Sequence, residues 1–396
     1  MKKLLSVLLV GLMFAYVFAG CQPAPAASEE APAEEAASEE VAAEEPAEEP
    51  AEESEGSGLV GIVLPTKEET RWLGDEAKFK KVIEEEGYNA EILFSENSSA
   101  TEKTNVETLI TKGAEVIVLC PFDATAAAAA VADAEAAGIP VISYDRLILD
   151  SGDVDYYVTF DSVSVGAAQA QFLVDKAGDT KGNNLYMYSG ALTDNNSFLF
   201  FEGKWNVLQP KIADGTFIVR NNDKAVELSD KAELTRDEKA DIMSVVDTEW
   251  TMDVSKSLAE AHLTAADADA KGTVFVLGPA DDDNARALSD AFYADAEIEK
   301  AWITGADGVE GSVQYIIDAK QDMTVYKDPN ALVMATFDII DALFAGEEPV
   351  TDKTYNNGVV DVPAIQADVV TVTTDNIVEV FFDGGVYDGS KFTNWE

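Results

Sequence analysis

The sequence predicts an α/β fold of two doubly wound parallel-sheet lobes. Three observations carry that prediction. Short, continuously apolar runs alternate with segments of helical period, the signature of strands buried on both faces by crossover helices. The alternation restarts near position 160, as though the block were used twice. And residues 59–396 number 338, more than one hydrophobic core usually supports.

In the first block, Val60 to Leu64 reads as a strand and Glu76 to Gly87 as a helix closed by its glycine. Asn89 to Phe94 is a strand. Thr101 to Gly113 is a helix, with Thr101 to Thr104 available as a cap. Val116 to Leu119, the Ala-rich helix Ala124 to Gly138, and the strand Ile139 to Ser143 complete the block. The second opens with Tyr156 to Phe160 and the helix Val165 to Ala177. Strands at Asn184 to Ser189, Phe217 to Arg220, Val274 to Leu277 and Ala301 to Thr304 follow, separated by helices. Met323 to Tyr326, Gly358 to Ile365 and Asp368 to Val372 have short neighbours and read as connections crossing between the lobes.

The N-terminus reads as a secretory signal. Lys2 and Lys3 precede an apolar run, Leu4 to Ala19, of 16 residues; a membrane span needs about 20. The run ends Ala19-Gly20-Cys21, small residues before a cysteine, which resembles a lipobox with Cys21 as the lipidated first residue of the mature chain. Residues 22–58 are almost wholly Ala, Glu, Pro, Ser and Gly, a composition that cannot bury a core, and are expected to form a tether.

The formal charge is -48, and the body alone carries 62 acids against 25 bases. Such a surface excludes nucleic acid and anionic lipid as charge-driven partners; it favours a neutral or cationic ligand, or simply serves solubility or a salty habitat. With Cys21 taken by lipid, Cys120 stands alone after an apolar run and reads as a buried, inert thiol. A single histidine, His262, leaves no zinc site or Ser-His-Asp triad to build. No cofactor or metal is expected: Pro65-Thr66-Lys67-Glu68 is no phosphate loop, and Asp267 to Gly272 has Lys271 where a calcium loop needs a ligand.

The segment that speaks most directly to function is Ser143-Tyr144-Asp145-Arg146-Leu147-Ile148. An acid and a guanidinium emerge together at the carboxyl end of a buried strand, where open α/β sheets bind ligands. An acceptor fork beside a donor fork suits a polyhydroxylated neutral molecule.

With Arg71-Trp72, Tyr144 to Ile148, Ser151 to Asp153, Thr159 to Asp161, Asp194 to Asn196, Tyr326 to Asp328 and Tyr355 to Gly358, the chain resembles the type I periplasmic sugar-binding proteins of ABC transporters, in particular the xylose-binding and multiple-sugar-binding group. The resemblance implies two lobes joined by three crossovers, placed here as 59–161 plus 328–362 and 162–327 plus 363–396. It implies that Arg71, Asp145, Arg146, Asp194, Asn196, Asp307 and Lys327 bond sugar hydroxyls, with Trp72 and Trp250 against the ring. Asp281 matches the family position only roughly, because Asp282 and Asp283 follow where relatives carry other residue types. Asn195 is expected to cap the helix that follows it.

The expectation is therefore a monomeric, non-enzymatic solute-binding protein, extracytoplasmic and held to the membrane by lipid on Cys21. It would pass a pyranose such as xylose, glucose or galactose to an ABC permease. The same fold binding a nucleoside, or feeding a sensor instead of a permease, are the alternatives.

Overall fold

The computed structural model describes residues 58–395. The expected signal, 1–21, and all but the last residue of the 22–58 tether lie outside the described residues.

The first lobe runs β1 (Leu59–Leu64), α1 (Thr70–Glu86), β2 (Ala90–Phe94), α2 (Ser99–Thr111), β3 (Ala114–Leu119), α3 (Ala128–Ala136), β4 (Val141–Tyr144) and β5 (Tyr156–Phe160). The second runs α4 (Ser162–Ala177), β6 (Asn183–Met187), α5 (Asn195–Ala213), β7 (Phe217–Val219), α6 (Asp223–Glu227), α7 (Arg236–Met243), α8 (Met252–Ala265), β8 (Gly272–Leu277), α9 (Asp282–Ala294), β9 (Ile298–Asp307), α10 (Glu310–Ile317) and β10 (Met323–Lys327). The chain then returns to the first lobe for α11 (Pro329–Ala345), β11 (Lys353–Asn356) and β12 (Asp361–Ala367), and ends in the second with β13 (Val369–Val372).

Both sheets have the same inner order. In the first it is β2-β1-β3-β4-β5, all parallel; in the second it is β7-β6-β8-β9-β10, again parallel. Each chain path reverses direction beside its first strand, and the crevice outside that switch point is where such sheets take ligands. The edges are mixed: β12 joins β5 in parallel, while β11 and β13 pair antiparallel.

The apolar strands are buried on both faces. In β1, Val60, Ile62 and Leu64 pack with Trp72 and Phe79 of α1 and Leu332, Val333 and Phe337 of α11. Val63 points to the other face, against Leu109 of α2 and Val131 of α3. In the second lobe the same alternation puts Leu185 and Met187 against α4 and α5, and Tyr186 and Tyr188 against α8 and α9. Helices α4 and α5 touch backbone to backbone. A Cβ on Gly166 would lie 1.9 Å from the Phe200 carbonyl oxygen, and one on Gly203 1.9 Å from that of Val163.

Three crossings join the lobes, at Asp161, Asp328 and Asp368. At the first two, the aspartate ends a strand of one lobe and caps a helix of the other, accepting from Ser164 N (3.0 Å) or Asn330 N (3.0 Å). The third falls six residues later than the expected switch after 362, because Ala364 to Ala367 pair with Tyr157 to Phe160 of the first sheet.

Other differences have equally local causes. Met323 to Lys327 is an inner strand of the second sheet, flanked by β9 and β13, and not a connection between lobes. Helix α2 starts earlier than expected, because the Ser98 hydroxyl accepts from Thr101 N. Regular helix in the Ala-rich segment covers only Ala128–Ala136. Cys120 is fully buried after β3, and burial pushes its thiol well above the ordinary range.

Candidate functional site

Nine of the ten residues expected to bind ligand stand at or just beyond the carboxyl ends of sheet strands, and all ten line one narrow pocket between the lobes. Arg71 and Trp72 follow β1; Asp145 and Arg146 follow β4; Asp194 and Asn196 follow β6. Asp281 follows β8, Asp307 ends β9 and Lys327 ends β10. Trp250 comes from the loop between α7 and α8.

The Asp145 turn is held by its own sheet and by Asn196 of the second lobe. Asp145 has φ 59°, a left-handed conformation that costs energy for a residue with a Cβ. Its carbonyl oxygen compensates by accepting from Tyr157 Oη (2.8 Å), Thr159 Oγ1 (3.1 Å) and Asn196 Nδ2 (2.9 Å). The twist sends the two neighbouring side chains to different partners. Asp145 meets Arg71 Nη2 at 3.3 Å, while Arg146 Nε reaches Asp194 of the other lobe at 3.0 Å.

Arg71 lies at the centre of the cluster. Its guanidinium grips Asp75 through Nε and Nη2, and its Nη1 crosses the cleft to Asp307 at 3.3 Å. Tyr144 donates its hydroxyl to the same Asp75. Lys327 closes on Asp307 at 2.7 Å. Both guanidiniums lie near Trp72, that of Arg146 at 5.0 Å and that of Arg71 at 5.4 Å from its ring centroid. Trp72 is thus core residue and cavity wall together.

On the second lobe, Asp194 caps α5: one carboxylate oxygen accepts from Asn196 N (2.8 Å) and the other faces Arg146. The cap expected at Asn195 belongs to Asp194, and the Asn195 side-chain oxygen accepts instead from Arg236 Nη1 at 3.0 Å. Trp250 and Glu249 both have left-handed backbones, φ 57° and 52°. The indole packs against Gly190, where a Cβ would come within 2.0 Å of the ring. Phe200 meets Trp250 edge-on, 6.4 Å between centroids.

Three lining residues escaped sequence reasoning: Glu69, Phe200 and Ala280. Phe200 is four residues from Asn196 on the same helix face, a spacing that could have found it. Glu69 hides in an acidic run, and only the fold shows that it is buried while Glu68 is exposed.

Charge in this cavity is unbalanced. Five carboxyl groups (Glu69, Asp145, Asp194, Asp281, Asp307) face three cations, and each cation is already paired. Burial pushes Glu69 up to about 7 against the pull of Arg146. Burial, then the charges of Asp307, Asp283 and Glu69, push Asp281 well above the carboxylate range. Burial also raises Asp194, despite Arg146. For Lys327 burial works the other way, but Asp307 and Asp145 outweigh it and hold the ammonium charged. The site offers acceptors in excess, donors in fixed forks and two indole faces, a set suited to a compact neutral polyol.

Comparison with known proteins agrees in kind. A family model described as a periplasmic binding protein domain matches residues 60–348. The multiple sugar-binding periplasmic receptor of Rhizobium radiobacter is 36% identical over 338 residues, covering 83% of this chain and 91% of its own. A multiple sugar-binding periplasmic protein of Azospirillum brasilense is 31% identical over 337 residues, covering 84% and 90%. Among solved structures, a carbohydrate transporter solute-binding protein of Chloroflexus aurantiacus in complex with D-glucose is 55% identical, with TM-score 0.84 over 86% of this chain and 100% of that one. An ABC transporter solute-binding protein of Clostridium phytofermentans with bound β-D-glucose is 28% identical, with TM-score 0.75 over 85% and 100%.

Proposed function

This chain belongs to the periplasmic binding protein family, and from that premise we propose that it captures a pyranose monosaccharide by cleft closure and delivers it, from a lipid anchor on Cys21, to an ABC importer. The observation that carries the reading is the convergence of donors, acceptors and one indole from each lobe on a single buried cavity. A pyranose has apolar C–H faces and a polar edge all round. Trp72 and Trp250 fit the faces; Arg71, Arg146, Lys327, Asn196 and the carboxyl groups fit the edge.

Closure follows from the division of labour. A sugar seated on Arg71, Asp145 and Arg146 of the first lobe recruits Asp194, Asn196, Asp281 and Asp307 of the second, so the closed form gains contacts that the open form lacks. Micromolar affinity requires about 8 kcal/mol net. Several charge-assisted hydrogen bonds and two ring contacts in a buried site supply that order of energy.

The names of the relatives and the glucose in two similar structures favour glucose or a close pyranose as ligand. Sugar acids are disfavoured, since a ligand carboxylate would meet five acids and no unpaired cation. A thermal-shift screen of the full chain tests this. Glucose, xylose and galactose should raise the melting temperature, by about 2.7 kcal/mol of stabilisation at 100-fold excess over Kd. Glucuronate and galacturonate should not, and Asp145→Ala should abolish the response. A shift with nucleosides alone would overturn the sugar reading and leave the family standing.

A further inference from the structure

Helix α1 carries Arg71 and Trp72 into the site, yet its own lobe does not cap it. The N-cap residue, Glu69, makes no side-chain capping bond, and the first turn holds no acid. The first amide, Thr70 N, donates instead to Asp283 Oδ2, at 2.9 Å, from the start of α9 in the opposite lobe. Asp283 is 5% exposed and its other oxygen is held by Arg286 Nη2. It lines the mouth of the cleft with Glu68, Glu69 and Trp250 and is not among the residues around the inner cavity.

We infer that Asp283 is a closure latch: it completes the N-cap of the ligand-binding helix of the first lobe only when the second lobe has swung in. The inference rests on the capture-and-closure reading above. A helix N-terminus left without an acceptor exposes unpaired amides and the positive end of its dipole, and a carboxylate satisfies both. Placing that carboxylate on the other lobe makes the cap available in the closed state alone. Because Asp283 acts on the closing equilibrium and not on the sugar, its contribution is the same for every ligand.

The test compares the full chain with Asp283→Leu, Asp283→Asn and Thr70→Pro. Proline removes the donor from the other side of the latch, and the first helical position accepts it because Glu69 is already extended (φ -85°, ψ 124°). Calorimetry and stopped-flow dissociation with glucose, xylose and galactose give the readout. Asp283→Leu and Thr70→Pro should each weaken all three sugars by one common factor, about 2- to 30-fold, as for a lost helix cap, and mostly through faster release. Combining them should cost no more than either alone. Asp283→Asn keeps an acceptor and should recover part of the loss. Asp283→Leu also loses the Arg286 pair within its own lobe, so Thr70→Pro, which leaves that pair intact, must show the same loss of affinity. Unaltered affinity in Asp283→Leu overturns the latch, as do unequal factors across the sugars, which would mean that Asp283 touches ligand. If the parent takes no sugar, the sugar reading fails separately. The latch is then judged from interlobe label distances without ligand, where the parent must be closed more often than Asp283→Leu.

Discussion

At the scale of single residues, Glu69 ties binding to pH. Burial in the site lifts its carboxyl group from the ordinary 4.5 to about 7, and a cleft opened to water would return it toward the ordinary value. Between those values the closed form holds a proton that the open form has released, so closing takes up a proton. Affinity should therefore fall as pH rises through that window and level off above it; Asp194 and Asp281, also raised, act with the same sign. Titration calorimetry should show binding at least about tenfold weaker at pH 8 than at pH 5. Glu69→Gln should flatten that slope and bind at pH 8 as well as the parent or better; an equally steep slope in the variant would remove Glu69 from the effect. The strand-end position of Asp145 and Arg146 was legible in the sequence, because an apolar run ending in charge marks the carboxyl end of a buried strand. Their partners were not. Which acid each guanidinium chooses depends on the left-handed turn at Asp145 and on residues more than 40 positions away, Asp194 and Asp307.

Elements place the residues that sequence spacing does not. Of Asp281, Asp282 and Asp283 only Asp281 is singled out by the sequence, but the start of α9 gives each a separate task. Asp281 accepts from Asn284 N and faces the cavity. Asp282, fully buried, accepts from Gly308 N (2.8 Å), Thr324 Oγ1 (2.9 Å) and Gln321 Nε2 (2.7 Å), and so fixes the turn that presents Asp307. Asp283 reaches across to α1. The chain's end supports the same turn from outside: Tyr387 donates its hydroxyl to Gly308 O at 2.8 Å, and Phe381 packs on Tyr326. The loop bearing Trp250 has less freedom, with two consecutive left-handed residues and an indole pressed on Gly190. Gly190→Ala should drive the ring toward the cavity at a cost of about 1–3 kcal/mol in sugar binding, the usual penalty for overpacking. Calorimetry and the tryptophan emission of the variant would report it, and unchanged affinity would show that Trp250 does not wall the ligand.

At the scale of the whole molecule, charge and tethering set how the protein meets its surroundings. Among the described residues no helix is long and apolar enough to cross a membrane. Attachment in this reading depends on Cys21 alone, and Cys21→Ala should move the protein from the membrane fraction to the soluble one with sugar affinity unchanged. Retention on the membrane would sink the lipid-anchor proposal. Two lobes, their parallel sheets and the strand ends that line the cavity could all be read along the chain. Apolar runs, capping glycines and the restart near position 160 are local signals, and burial on both faces forces a run such as Val60 to Leu64 to be apolar throughout. The last crossing at Asp368, the inner place of β10 in the second sheet and the burial of Glu69 could not be read in that way. Each depends on which strand or lobe lies alongside, and no neighbour in sequence carries that information. The same holds for the cap of α1, whose acceptor lies 213 residues away and comes within reach only when the two lobes meet.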